Sequence, residues 1–325
     1  MDIFVQQLVN GLTLGSVYAV VALGYTMVYG IIQLINFAHG EVVMIGAMVA
    51  FTVIVRLADA GLPPVLVVLV GTCCAVPVCM AVGYAMERLA YRPLRRAPRL
   101  APLITAIGVS IILQHLAMLV WSRNVLAFPQ IIPITTYGVA GATVTGVQIA
   151  IVAICVSMMA ALAALVYRTR LGRAMRATAQ NPQVAVLMGV DVNRVIATTF
   201  VIGAALGAVA GVLVGTYYGV AQYTMGAVLG LKAFAAAVLG GIGNIPGAML
   251  GGLLLGVVEA LGAGYIGDLT DLCHYGLGPA AACADGGHFV LFGSNYQDVF
   301  AFIVLILVLV FRPQGLLGER VGDRA

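Results

Sequence analysis

The chain has 325 residues, of which 62% are hydrophobic and 9% charged, and its mean hydropathy is +1.08. Those values exclude a soluble globular domain, where about a quarter of residues are charged, and leave a polytopic membrane protein. The formal charge of +4 is small, and its arginines fall in clusters between apolar runs, a pattern of membrane orientation and not of nucleic-acid binding.

The first apolar segment follows MDIFVQQ, with no basic region before it, and is too long for a signal core, so it is expected to be retained. Apolar segments lie near residues 8–30, 36–57, 64–86, 100–121, 146–167, 195–219, 226–243, 246–265 and 297–311. A crossing needs roughly 20 helical residues, which makes 226–243 and 297–311 marginal. The expected fold is all-α: a single transmembrane bundle over 1–325 with about eight or nine membrane segments, two of them interrupted.

The first interruption reads GIIQLINFAHGEVVMIG and the second VLGGIGNIPGAMLGG. Each has an asparagine, Asn36 or Asn244, shortly before a glycine and a fresh helical run. Paired interrupted helices in the two halves of a chain fit a pathway built from discontinuous helices; tight turns between ordinary hairpins are the alternative. His39 and Glu41 in the first break lack the spacing of a helical zinc site. They either satisfy broken backbone or face a solute. Lys232, the only lysine, lies in an apolar run where an ammonium costs roughly 2.5–3.5 kcal/mol, so it needs water or a partner, with Glu41 and Glu259 as candidates. Gln114 and His115 read as a polar pair packed between helices. The forty glycines favour close helix contacts.

Three arginine clusters set the topology. They are Arg88, Arg92, Arg95, Arg96 and Arg99; Arg168, Arg170, Arg173, Arg176 and Arg194; and Arg312, Arg320 and Arg324. Placing all three in the cytoplasm puts the N-terminus on the outer side and the C-terminus inside. The loop 168–194 is too structured for a linker. Asn181 can cap a helix, Pro182 suits its first position and Gly189 supplies a stop, while Val184, Leu187 and Met188 share one face at helical spacing. Two turns of helix are unstable alone, so the rest of the chain or a partner must cover that face. On the outer side, Cys273 and Cys283 within the polar stretch 265–295 are expected to form a disulfide. A metal site adding His274 and His288 is disfavoured, because adjacent residues such as Cys273 and His274 rarely share an ion. No cofactor is expected, and the chain has no G-x-x-x-x-G-K-[ST] phosphate loop.

NGLTLGSVYAVVALGYTMVYGIIQLINFAHGEVVMIGA, RLGRAMRATAQNPQVAVLMGVDVNRVIATTFVIGAALGAVAGVL, GLKAFAAAVLGGIGNIPGAMLGGLLLGVVEA and the RPQGLLG tail together span most of the chain. In these segments it closely resembles the inner-membrane permeases of branched-chain amino-acid ABC importers, of the LivH type. The resemblance implies a membrane-transport subunit without catalytic residues of its own, paired with a paralogous permease, driven by two cytoplasmic ATPase subunits and supplied by a periplasmic binding protein. It also implies that Arg173, Arg176, Asn181, Pro182, Leu187, Met188 and Gly189 belong to a coupling region resting on the ATPase. Asn36, His39, Glu41, Lys232 and Asn244 are the residues expected near the translocation pathway. The stretch 265–295 is longer than the connection expected in such relatives, and related permeases carry urea, amides or other amino acids, so the substrate stays open. An ion-coupled secondary transporter, with His39, Glu41, Lys232 and Glu259 as a relay, has no use for a basic capped helix. An intramembrane enzyme would need a nucleophile and base at interpretable spacing.

Overall fold

The computed structural model describes residues 2–318 apart from 96, 99, 134, 140, 272, 274–289 and 291–295. The chain is mostly helical: α1 (Asp2–Ile32), α2 (His39–Leu57), α3 (Pro64–Ala85), α4 (Leu100–Val120), α5 (Gly146–Arg168), α6 (Arg170–Gln180), α7 (Pro182–Leu187), α8 (Val192–Tyr218), α9 (Met225–Gly240), α10 (Ile245–Leu269) and α11 (Gln297–Phe311). Among the described residues seven helices are long and apolar enough to cross a membrane. This is an integral membrane protein. The shorter apolar helices α9 and α11 have 16 and 15 residues. At 1.5 Å per residue they reach only about 24 Å, short of the roughly 30 Å hydrocarbon core.

Helix α1 is the axis of the bundle. It packs along α10 and also touches α5, α8 and α9, while α2 packs between α3 and α8. Two apolar clusters result. One surrounds α1 with Leu23, Ile151, Leu162 and Leu255; the other surrounds α2 with Met44, Met48, Ile54 and Phe200. Helices α4 and α5 turn many of their apolar side chains outward, among them Ile104, Ile112, Leu119 and Val156, as helices bordering lipid must.

The seam between α1 and α10 is built on glycine. A Cβ on Gly11 would lie 2.6 Å from Val257 Cα, and one on Gly15 would lie 2.8 Å from both Cα and O of Leu253. From the other side, Gly252 closes on Ala19 and Gly256 on Gly15. Both helices therefore present glycines four residues apart, the small-xxx-small spacing that lets backbones touch where lipid gives no hydrophobic drive.

The element ends are chemically specified. Thr145 and Gln148 form a reciprocal capping box at the start of α5. That start is reached through the antiparallel hairpin β2 (Thr136–Val139) and β3 (Ala142–Thr145), turned at Gly141 with φ +83°. Strands β1 (Leu126–Ala127) and β4 (Val220–Ala221) pair antiparallel near the end of α8. Beyond α3 the chain widens into a π-helical turn, Met86–Tyr91, which is followed by an i→i−5 bond from Arg92 N to Glu87 O at 2.7 Å.

The structure corrects the segment boundaries in two places. The second span starts at His39, not 36, because the Asn36 side chain accepts from Ala38 N at 3.1 Å and holds a turn there. The basic run RLGRAMRATAQ is a helix in its own right, α6, with Gly172, Met175 and Thr178 buried at three-residue spacing. The loop between α5 and α8 thus holds two helices where one is expected.

Candidate functional site

Thr169 starts α6 by accepting from Gly172 N at 3.0 Å, and Arg176 donates to the free carbonyl of Val166 at the end of α5 while lying over the Tyr167 ring. Asn181 both ends α6 and caps α7, accepting from Gln183 N at 3.0 Å and Val184 N at 3.1 Å. Pro182 takes the first helical position. Gly189 stops the helix at φ +83°, and Val190 N then bonds back to Ala185 O at 3.0 Å. Helix α7 docks on its own chain through Ala185, the buried member of its sequence. Val184, Val186, Leu187 and Met188 all point out, the last two 85% and 79% exposed. Among the described residues nothing covers the apolar face read from the spacing. Arg173 is exposed beside it on α6.

Across the base of the bundle, the fully buried Glu87 binds Arg92 at 3.0 Å and also pairs with Arg95. Arg95 in turn donates to Asn193 Oδ1 at 2.6 Å, next to Asp191, which caps α8 by accepting from Arg194 N at 3.1 Å. Hydrogen bonding to Glu87 raises the pKa of Arg92, whereas burial lowers that of Arg95; a guanidinium stays charged through either. At the other end of the π turn, Tyr91 donates its hydroxyl to Asn36 Oδ1 at 2.7 Å. Polar contacts thus run from the α7–α8 junction to Glu87, and the π turn carries the chain from Glu87 to Tyr91 at the first helix break.

That break spans Gln33–Ala38, with Gln33 at φ +52°. His39 sets its ring edge-on to Tyr25 at 5.0 Å and close against Gly24, with Gly203 and Gly207 on its other side. Glu41 is fully buried; its Oε1 accepts from Ser110 Oγ at 3.0 Å and Gln114 Nε2 at 2.7 Å. Its Oε2 and His39 Nε2 have no hydrogen-bond partner among the described residues. Gln114 thus packs between helices on Glu41, whereas His115 is exposed and bonds the Ile111 carbonyl of its own helix at 2.9 Å.

The second break, Gly241–Asn244, uses Gly241 and Gly243 at φ +107° and +94°. Asn244 caps α10 by accepting from Gly247 N at 3.2 Å and donates Nδ2 to Leu317 O at 2.7 Å. Leu316 N and Leu317 N then bond the last carbonyls of α9, Leu239 O and Gly240 O. The tail is the plug of this break.

Lys232 chooses Glu259 over Glu41. Its Nζ lies 2.8 Å from Glu259 Oε1 and 2.7 Å from Asp298 Oδ1, joining α9, α10 and α11. Tyr18 donates to the same Glu259 oxygen at 3.2 Å. Lys232 and Tyr18 form one end of a cavity of about 220 Å³ between α1, α8 and α9. Val214, Met225, Val228 and Leu229 make its apolar wall, and Tyr218 and Gln222 are the further polar groups.

The five residues read as lining a pathway are therefore in three places. Asn36, His39 and Glu41 share the first break, Lys232 sits in the triad, and Asn244 holds the tail. On α9, Gly226 and Gly230 face Gly40, and Lys232, two residues on, points to roughly the opposite side at 100° per residue. Sequence reasoning missed Tyr18, Tyr218 and Asp298. The phenols stand on helix faces that read as core, and the carboxylate lies beyond a stretch with no periodic signal. Cys273 is disulfide-bonded, and Cys283, His274 and His288 lie outside the described residues.

The family described as "Branched-chain amino acid transport system / permease component" matches residues 7–309. This chain belongs to that permease family. The permease is 49% identical over 321 residues to the high-affinity branched-chain amino acid transport system permease protein BraD of Pseudomonas aeruginosa, covering 97% of this chain and 96% of the relative. It is 45% identical over 323 residues to LivH of Escherichia coli K12, with the same coverage. To a probable LivH of Methanocaldococcus jannaschii the identity is 26% over 316 residues, covering 93% and 89%. No solved structure matches the permease.

Proposed function

We propose that this permease is the membrane subunit of a bacterial inner-membrane ABC importer for branched-chain amino acids, passing on substrate delivered by a periplasmic binding protein. It pairs with a paralogous permease, and two cytoplasmic ATPase subunits drive it. The relatives' names support the substrate class, since they are permeases of high-affinity branched-chain amino acid transport. The loop 168–194 and the tail lie in the cytoplasm by the distribution of arginines, and the N-terminus lies outside.

The observation that carries the reading is the bare apolar tip of α7. A two-turn helix presenting Leu187 and Met188 on a basic loop is a surface that water disfavours and a partner's groove would bury. Arg173 adds a charge for an acidic rim. Motion of α7 has a route inward: Asp191 and Asn193 follow it, Arg95 joins Asn193 to Glu87, and the π turn that begins beside Glu87 ends in Tyr91 on Asn36 at the first break. The ATPase stroke at α7 thereby shifts the point where α1 hands over to α2.

The test is Leu187→Asp in the reconstituted complex, reading ATP hydrolysis and leucine uptake together. The outcome expected is loss of uptake, with hydrolysis released from control or the ATPase lost from the complex, while the permease remains folded. Normal assembly with normal uptake would show that α7 is only a connection.

A further inference from the structure

We infer that the cavity between Lys232 and Val228 is a subsite of the permease itself for the aliphatic amino acid in transit, so that this chain contributes selectivity of its own. The inference rests on the import reading above. At about 220 Å³ the cavity is smaller than the roughly 300–1,000 Å³ of pockets for drug-sized ligands. A single water needs only about 10–15 Å³ of such space, so there is room for a solute of several waters' size, the scale of one free amino acid.

Its two ends differ in chemistry. Val214, Val228 and Leu229 give a branched hydrocarbon side chain an apolar wall. At the other end the Lys232 ammonium donates to Glu259 at 2.8 Å and to Tyr18 Oη at 3.5 Å and ion-pairs with Asp298 at 2.7 Å. It also lines the cavity, where its positive charge can meet a ligand carboxylate. Two carboxylates and one ammonium sum to −2 + 1 = −1, so the triad carries an uncompensated negative charge. Glu259 Oε2, fully buried, has no hydrogen-bond partner among the described residues. A plain carboxylate would take that sum to −2, whereas a zwitterion, carrying its own α-ammonium, leaves it at −1. The group that fits is an α-amino acid with an uncharged, branched aliphatic side chain.

Val228 is half exposed at the cavity wall, so it can be changed without entering the core. The experiment measures uptake of leucine and of valine by proteoliposomes holding the full complex, each delivered by the unaltered binding protein. Leucine and valine differ by one methylene, worth roughly tenfold or more in a fitted apolar pocket. Val228→Phe is expected to lower the leucine-to-valine ratio of maximal rates by about that factor, and Val228→Ala, which removes atoms and cannot overpack, to raise it. If Val228→Phe fails to assemble, Val228→Ala decides alone. A wild-type complex that imports both, with the ratio unchanged in the assembled variants, overturns the subsite and leaves the import reading standing. A wild-type complex that imports neither overturns both.

Discussion

Replacing Gly15 by alanine tests whether the α1–α10 seam is set by backbone contact. The new Cβ would stand 2.8 Å from Leu253 Cα and O and 3.0 Å from Gly252 O. All three are backbone atoms, so no rotamer change relieves them, and the helices must separate by several tenths of an ångström to reach ordinary contact. Overpacking of this kind costs about 1–3 kcal/mol. Alanine also gains up to about 1 kcal/mol of helix propensity over glycine, which partly hides the cost. Gly108→Ala in α4 is the reference, because nothing lies within 4 Å of a Cβ there. The difference between the two variants isolates the seam. Unfolding of the purified permease from mixed micelles by a denaturing detergent should show Gly15→Ala less stable than Gly108→Ala by about 1–3 kcal/mol, about fivefold to 150-fold in the unfolding constant. Adding Gly11→Ala should cost less than it does alone, since a seam already opened has room for the second methyl. Equal stability of Gly15→Ala and Gly108→Ala would refute a seam held by glycine.

Two further outcomes follow from the buried polar contacts. Lys232→Met strands the buried Glu259 carboxylate and should cost about 3–5 kcal/mol, while Lys232→Met with Glu259→Leu should recover most of that. A double variant as unstable as the single one in the same unfolding assay contradicts the ion-pair account. Tyr91→Phe removes the 2.7 Å hydroxyl bond to Asn36 and leaves the Ala38 N–H bond to the same oxygen. It should cost about 1–2 kcal/mol and lower uptake per ATP hydrolysed in the reconstituted complex; an unchanged ratio would remove Tyr91 from the coupling route.

The membrane spans were legible because lipid imposes long apolar runs, and the second break was legible because only glycines such as Gly241 and Gly243 accept its positive φ. Lys232 announced itself as a lone lysine in an apolar run. Its second partner did not, because Asp298 follows a stretch whose composition sets no register with α9. The Arg95–Asn193 bond joins residues 98 apart in sequence, and no periodicity encodes such a pairing. Helix α6 was hidden by its arginines. Its signal was the small buried stripe of Gly172, Met175 and Thr178, which composition alone reads as loop.

The tail that seals the second break also sets a biosynthetic clock. Residues 312–318 leave the ribosome after α9 and α10, yet Leu316 and Leu317 supply the donors for Leu239 O and Gly240 O, and Leu317 O receives Asn244. Until they are made, Leu239 O and Gly240 O lack those donors and Asn244 caps α10 without its partner on the tail. A chain cut before residue 312 would keep the apolar spans through α11 and leave the second break unfinished.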